Sequence, residues 1–224
     1  MTMLIGFEGI DGANKKTQSS LLVKWFETLG KSATVISFPR YKKTAAGWAL
    51  WEAIEGPNGI SYDFANVDPY AASMFYSSDR RQSLPFIKEK IATHDVVIFD
   101  RYVESNLLHQ GGKLATDKEK EEFQQWLFNL EYKSLGLPAL NATLYLQIPF
   151  AISVERTKRR AETIGLHPDI VEKNIEYVRR SYEAGSFFTK SLNWEVINCV
   201  DDNGYEFTPE EIHEEVVARL CCTV

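Results

Sequence analysis

The residues of this chain with the most chemistry in them stand close together: Gly9-Ile10-Asp11-Gly12-Ala13-Asn14-Lys15-Lys16-Thr17. A loop that holds nucleotide phosphates reads G-x-x-x-x-G-K-[ST]. Its backbone N–H groups cradle phosphate oxygens, its lysine reaches the β- and γ-phosphates, and its hydroxyl meets the metal ion. Gly9 and Lys15 keep that spacing, whereas Asn14 stands at the second glycine and Lys16 at the hydroxyl. Asparagine is among the few side chains that tolerate a left-handed backbone, so Asn14 is expected to hold the turn. Lys16 has no acceptor to offer a cation. The alternative is a strand-to-helix turn that merely contains glycines and lysines.

Three other clusters could share a reaction with this loop. Asp100 closes the apolar run Val96-Val97-Ile98-Phe99 and is followed by Arg101. A carboxylate there can hold or polarise a Mg²⁺ region, and the arginine can grip a phosphate through two N–H groups. Capping of the next element is the other use of an Asp. Tyr76 and Arg80 lie four residues apart in a segment expected to be helical over 70–81, which puts them on one face. The pair suits a planar base together with a phosphate or base carbonyl. Tyr76 reads equally well as core, and neighbouring Phe75 is read as core. Arg156 and Arg160 also share a face, with Lys158 and Arg159 projecting elsewhere. Such a segment can close over a nucleotide and bring charge to a transferring phosphoryl group, or it can be a solvated basic helix end. The four histidines, His94, His109, His167 and His213, show no metal-ligand spacing.

The elements that must position these groups are legible as five apolar runs, at 3–7, 33–38, 95–99, 142–148 and 194–199, with helical periodicity between them. Helices are expected over 17–29, with Leu21, Leu22, Trp25, Phe26 and Leu29 on one side, and over 118–134 and 169–184; residues 54–68 read as a loop. Alternating strands and helices predict an α/β, three-layer architecture: a five-stranded parallel sheet flanked by helices. Ligands bind such sheets beyond the C-terminal strand ends. Asp11–Lys16, Pro39-Arg40-Tyr41 and Asp100-Arg101-Tyr102 each follow a strand, so they converge on one edge.

At 224 residues the chain is expected to form one domain spanning 1–224. A formal net charge of −6 argues against a general nucleic-acid surface. Positive charge is instead concentrated at Lys15-Lys16 and at Arg156–Arg160. Three cysteines form neither a disulfide framework nor a zinc spacing, and reduced cytoplasmic thiols are expected. The first strand starts too early to leave room for a signal peptide, and no apolar run is long enough to span a bilayer.

Over nearly its whole length the chain resembles the thymidylate kinase family. The segments that carry the resemblance are Phe7-Glu8-Gly9-Ile10-Asp11-Gly12, Phe38-Pro39-Arg40-Tyr41, Tyr76-Ser77-Ser78-Asp79-Arg80, Asp100–Asn106 with Gln110-Gly111, and Leu135-Gly136-Leu137-Pro138. The resemblance implies a P-loop NTPase-type scaffold with a mobile lid at about 156–170 and a monophosphate-binding region at about 40–90. It implies Mg²⁺-dependent transfer of the γ-phosphoryl group of ATP to dTMP by a homodimer. ATP would be held by Gly9, Gly12, Ala13, Asn14, Lys15, Lys16 and Thr17. Asp11 would contact the sugar 3′-hydroxyl and, with Asp100, the metal. Arg40 would hold the monophosphate with Tyr41 beside it, Tyr76 would stack on thymine, and Arg80 would bond a base carbonyl. Arg101 would organise the acceptor phosphate, Asn106 and Gln110 would line the nucleoside pocket, and Glu172 would lie near the sugar. The family carries its catalytic arginine either in the phosphate loop or in the lid; with Gly12 in the loop, Arg156 and Arg160 must supply it. His109 stands where the family often has tyrosine. A kinase for dUMP, another nucleotide or a deoxynucleoside, and a nucleotide-binding protein without activity, are the competing readings.

Overall fold

In the computed structural model, which describes residues 2–54, 65–164 and 174–223, the five expected strands form one parallel sheet. They are β1 (Met3–Glu8), β2 (Ala33–Ser37), β3 (Val96–Asp100), β4 (Ala142–Gln147) and β5 (Glu195–Asn198), in the order β2-β3-β1-β4-β5. β1 is central: Ile5 is in register with Ile98 on one side and Ala142 on the other. The chain runs outward to β2, returns to β3, and then crosses to β4 on the far side of β1. That reversal opens a crevice at the C-terminal strand ends.

Nine helices are described: α1 (Lys15–Thr28), α2 (Ala45–Ile54), α3 (Pro69–Gln82), α4 (Leu84–Thr93), α5 (Glu104–His109), α6 (Asp117–Phe128), α7 (Phe150–Ile164), α8 (Ile175–Ser191) and α9 (Pro209–Thr223). Both sheet faces are covered, which is why the strands read as unbroken apolar runs. One core layer joins Ile5 and Leu144 to Leu22 of α1 and Val216 of α9. The other joins Val97 and Phe99 to Phe123 of α6 and Phe188 of α8. Local chemistry sets the helix starts. Asp68 accepts the Ala71 N–H at 2.9 Å with Pro69 at the first helical position of α3, and Thr116 and Glu119 close a capping box on α6.

Several expectations need correction. Regular α-helix ends at Phe128, not Ser134, and residues Asn129–Ser134 form a π-helical turn. α8 runs on to Ser191, because Phe188 is fully buried. Leu29 is 54% exposed: it lies past the end of α1, where Gly30 turns the chain at a φ of 70°. Phe75 is 41% exposed, although Ala72 and Asp79, three residues before it and four after it on α3, are buried. The loop expected over 54–68 begins where α2 ends, and Gly56-Pro57-Asn58-Gly59 lies outside the described residues.

Beneath the crevice three carboxyl groups are buried: Glu8, Glu104 and Glu131. Glu8 accepts the Tyr102 N–H at 2.8 Å and the Ser105 hydroxyl at 2.5 Å. With the Arg101 N–H bonded to the Phe7 carbonyl at 3.1 Å, this clamps both sides of Arg101, whose φ of 67° is left-handed. Glu104 accepts the Tyr132 hydroxyl at 2.5 Å through Oε1, while its buried Oε2 has no partner among the described residues. Burial, then the charge of Glu8, pushes the Glu104 carboxyl up to about 7.

That shift has a stability signature. Between the ordinary value of 4.5 and about 7, folded Glu104 keeps a proton that the unfolded chain has lost. Stability therefore falls as pH rises across this window, by roughly 3–4 kcal/mol at most. Chemical denaturation from pH 4.5 to 8 is expected to show Glu104→Gln gaining on the wild type over that range. A constant difference between the two would contradict the assignment.

Candidate active site

Asn14 takes φ 64° and ψ 23°, so it fills the glycine position of the loop in the left-handed conformation. It delivers Lys15 to the first turn of α1, where the side chain is 7% exposed and Nζ donates to the Gly9 and Ile10 carbonyls at 2.9 Å each. A cavity of about 860 Å³ opens above the loop. Ala13 is buried beneath it, while Asn14, Lys15, Lys16, Thr17 and Asp100 line it. Its far wall is α7 and the segment around Phe207.

Gly12 explains how α7 comes so near. A Cβ there would lie 3.1 Å from the Ser153 carbonyl and 3.2 Å from the Arg156 Cβ, at a φ of 81° that side chains rarely adopt. The absent side chain is replaced by Arg156, whose Nη1 donates to the Gly12 carbonyl at 3.1 Å. Glu206 holds the same guanidinium at 2.9 Å and 2.6 Å. Arg159 also faces this cavity, against the expectation that it projects elsewhere, since positions three and four apart share a helix face.

A second cavity of about 280 Å³ lies between α3, α5 and α8. Tyr41, Tyr76, Arg80, Asn106 and Gln110 line it, together with His109. Tyr76 is half-buried, one edge in a small cluster with Leu50, Ile54 and Ala72 and the other facing the cavity. Asn106 Nδ2 and Gln110 Oε1 are buried with no hydrogen-bond partner among the described residues. Buried polar atoms are rarely left so, and an unpaired donor and an unpaired acceptor in one cavity mark a ligand surface. Arg40 stands apart. Its guanidinium lies 4.0 Å from the centre of the Phe86 ring, its backbone N–H donates to Asp79 at 2.7 Å, and it lines neither cavity. Glu172 and the lid beyond Ile164 fall outside the described residues.

Asp11, Arg101 and Arg160 line both cavities. Arg101 Nη2 pairs with Asp11 Oδ1 at 2.5 Å, and Nη1 lies 3.1 Å from His109 Nε2. Burial works to raise the Asp11 pKa, but Arg101, Lys15 and other nearby cations outweigh it and hold the carboxyl well below its usual range. Burial and then Arg101 push His109 down to about 3, leaving it neutral. Its Nε2 then accepts from Arg101, and its Nδ1 faces the Ser181 hydroxyl at 3.3 Å. Burial and then Arg101 also lower Lys15, to about 8.

Sequence reasoning missed Glu8, Glu131, Tyr177 and Glu206. The first three sit where a buried, hydrogen-bonded environment has no local sequence signal, and Glu206 meets Arg156 only because residues fifty apart are folded together. Two joined cavities, one on a phosphate loop and one polar and aromatic, define a P-loop nucleoside monophosphate kinase. A family model for thymidylate kinase matches residues 7–203. The thymidylate kinase of Mycobacterium tuberculosis is 32% identical over 180 residues, covering 80% of this chain and 82% of that one. That of Danio rerio is 24% identical, covering 95% and 87%. A Candida albicans thymidylate kinase structure superposes with a TM-score of 0.70 at 19% identity, covering 99% and 92%. The chain belongs to the thymidylate kinase family, ATP-dependent enzymes that phosphorylate dTMP.

Lys15 offers a direct probe of the phosphate site. With its pKa lowered to about 8, Lys15 is expected to be largely neutral near pH 8.5 in the free protein, and a triphosphate bound beside it would restore its charge. ATP binding at that pH is therefore expected to take up roughly half a proton or more. Calorimetry in two buffers of different ionisation enthalpy measures this, and Lys15→Met should remove the uptake. Equal heats in both buffers for the wild type would refute it.

Proposed function

We propose that ATP occupies the larger cavity, dTMP the smaller, and that the γ-phosphoryl group crosses at Asp11, Arg101 and Arg160. The observation that carries this reading is that these three residues line both cavities. No covalent partner is needed: alignment and neutralised charge suffice for a phosphoryl group. Lys15 exchanges its bonds to the Gly9 and Ile10 carbonyls for the donor phosphates. Arg101, held in position by Asp11 and His109, grips the acceptor phosphate. Arg160 tracks the moving charge, and Arg156 ties the lid helix to the loop at Gly12.

In the smaller cavity Tyr76 stacks on the base and Tyr41 closes one wall. Arg80 and the Asn106 amide donate while Gln110 accepts. Two donors and one acceptor complement the carbonyl, N–H, carbonyl edge of thymine. Arg40 would have to leave Phe86 to reach the phosphate. Among the described residues no cluster of three or more His, Cys, Asp or Glu is placed to hold a metal. Two carboxylates, Asp11 and Asp100, nevertheless fit Mg²⁺, which keeps several waters and binds through few protein ligands beside the phosphates. They would hold it, and it would neutralise charge on the donor phosphates.

The chain functions as one domain over 1–224 in the cytoplasm, where thiols such as Cys199 and Cys221 persist unpaired. No described helix is long and apolar enough to cross a membrane. We also propose a homodimer, supported by Trp48, Met74 and Phe75, which expose 47%, 46% and 41% of their surfaces on α2 and α3.

A coupled assay of ADP release with ATP and dTMP, run against dUMP, tests the activity. Turnover of dTMP no better than of dUMP would overturn the stated substrate. Arg160→Ala should lower kcat about a hundredfold or more while changing KM little, because its charge is needed in the transition state. An effect on KM alone would remove Arg160 from the transfer. For the dimer, sedimentation of Trp48→Glu/Phe75→Glu should give monomers from a dimeric wild type; a monomeric wild type would end that reading.

A further inference from the structure

The smaller cavity contains an arginine whose charge is balanced by a buried carboxylate. Arg80 is 2% exposed, and Glu131 is fully buried against it. Arg80 Nε donates to Glu131 Oε2 at 2.9 Å, and Nη2 donates to Oε1. Nη1 donates to the Tyr102 carbonyl at 3.2 Å. These bonds use three of the five N–H groups of a guanidinium and leave two. Glu131 is itself braced: Ser77 donates to Oε1 at 2.7 Å, and its carbonyl accepts the Leu137 N–H at 3.0 Å. It sits in the π-helical turn Asn129–Ser134, a deviation from regular helix of the kind found at functional sites.

A buried ion pair is a poor device for stability, since two apolar side chains of the same volume do as well or better. Its use must lie elsewhere. A bare arginine in this cavity would attract any anion, including a second phosphate. Paired with Glu131 it becomes a fixed donor within an ion pair of no net charge.

We infer that Glu131 is the positioning residue for base selection: it aims the two unclaimed N–H groups of Arg80 into the cavity and cancels their charge, so that the site takes a neutral 4-keto pyrimidine and rejects a 4-amino one. This rests on the dTMP reading above. A donor-only group opposite the exocyclic amine of cytosine leaves donors facing one another with no acceptor, and sites built on such pairing reject the mismatched analogue strongly. The choice between thymine and uracil is not made here, because both carry the 4-keto group.

The test compares the wild type with Glu131→Gln and Ser77→Ala for dTMP, dCMP and ATP, by steady-state kinetics and by calorimetric titration of dTMP and dCMP. Glu131→Gln keeps the shape but loses the charge and one acceptor. Its KM and Kd for dTMP are expected to rise about tenfold or more, the effect of losing a charge-assisted hydrogen bond. Its KM for ATP should stay unchanged, and the dTMP over dCMP preference should shrink by a similar factor. Ser77→Ala removes only the brace, leaves the ion pair in place, and should shift the same ratio in the same direction by a few-fold; it decides the matter if Glu131→Gln does not fold. An unchanged dTMP over dCMP ratio, or equal losses for ATP and dTMP, would overturn the inference. A wild type that binds dTMP with this selectivity but does not turn it over would refute the activity while leaving the role of Glu131 standing.

Discussion

The contact between Asp11 and Arg101 is the constraint around which the rest of the site is arranged. It joins the phosphate loop after β1 to the turn after β3, two segments ninety residues apart. Arg101 stands on a left-handed backbone, a conformation unfavourable for a residue with a Cβ. Glu8 and the Phe7 carbonyl hold it from both sides, so a carboxylate buried beneath the sheet edge supports an arginine at its surface. Without that clamp the boundary between the two cavities would lose one of its three shared residues.

The same logic recurs at three arginines of the site. Arg101 is held by Asp11, Arg156 by Glu206, and Arg80 by Glu131. An acidic protein that must bind polyanions needs positive charge in one place, and like charges packed together repel. Acidic partners fix each guanidinium and reduce the repulsion. Lys15 is the exception: it bonds only carbonyl oxygens, and burial depresses its pKa. It is therefore the cation most ready to exchange its partners for phosphate.

The altered loop is explained by its neighbours. Asn14 adopts the backbone of the glycine it replaces, and Gly12 leaves room for the lid helix. A Cβ at position 12 would crowd the Ser153 carbonyl and the Arg156 Cβ, so the lid helix would have to give way by a few tenths of an ångström.

The strands, their alternation with helices and the groups at the C-terminal edge were legible in the amino-acid sequence, since apolar runs and strand-to-helix turns are local patterns. Lys15, Asp11, Asp100 and Arg101 were legible for the same reason, each following a recognisable strand. Leu29 was misread because periodicity does not mark where a helix ends, and Phe75 because it does not say how far the covered face extends. Arg159 was misread through the same helical spacing, and the position of Arg40 against Phe86 had no signal in the sequence. By itself the sequence determined the fold class and the phosphate-binding chemistry, because both depend on short-range spacing. Only the tertiary structure decided which carboxylate holds which arginine. Glu8, Glu131 and Glu206 take their meaning from burial and from partners far away in the chain, and no local pattern encodes those distances.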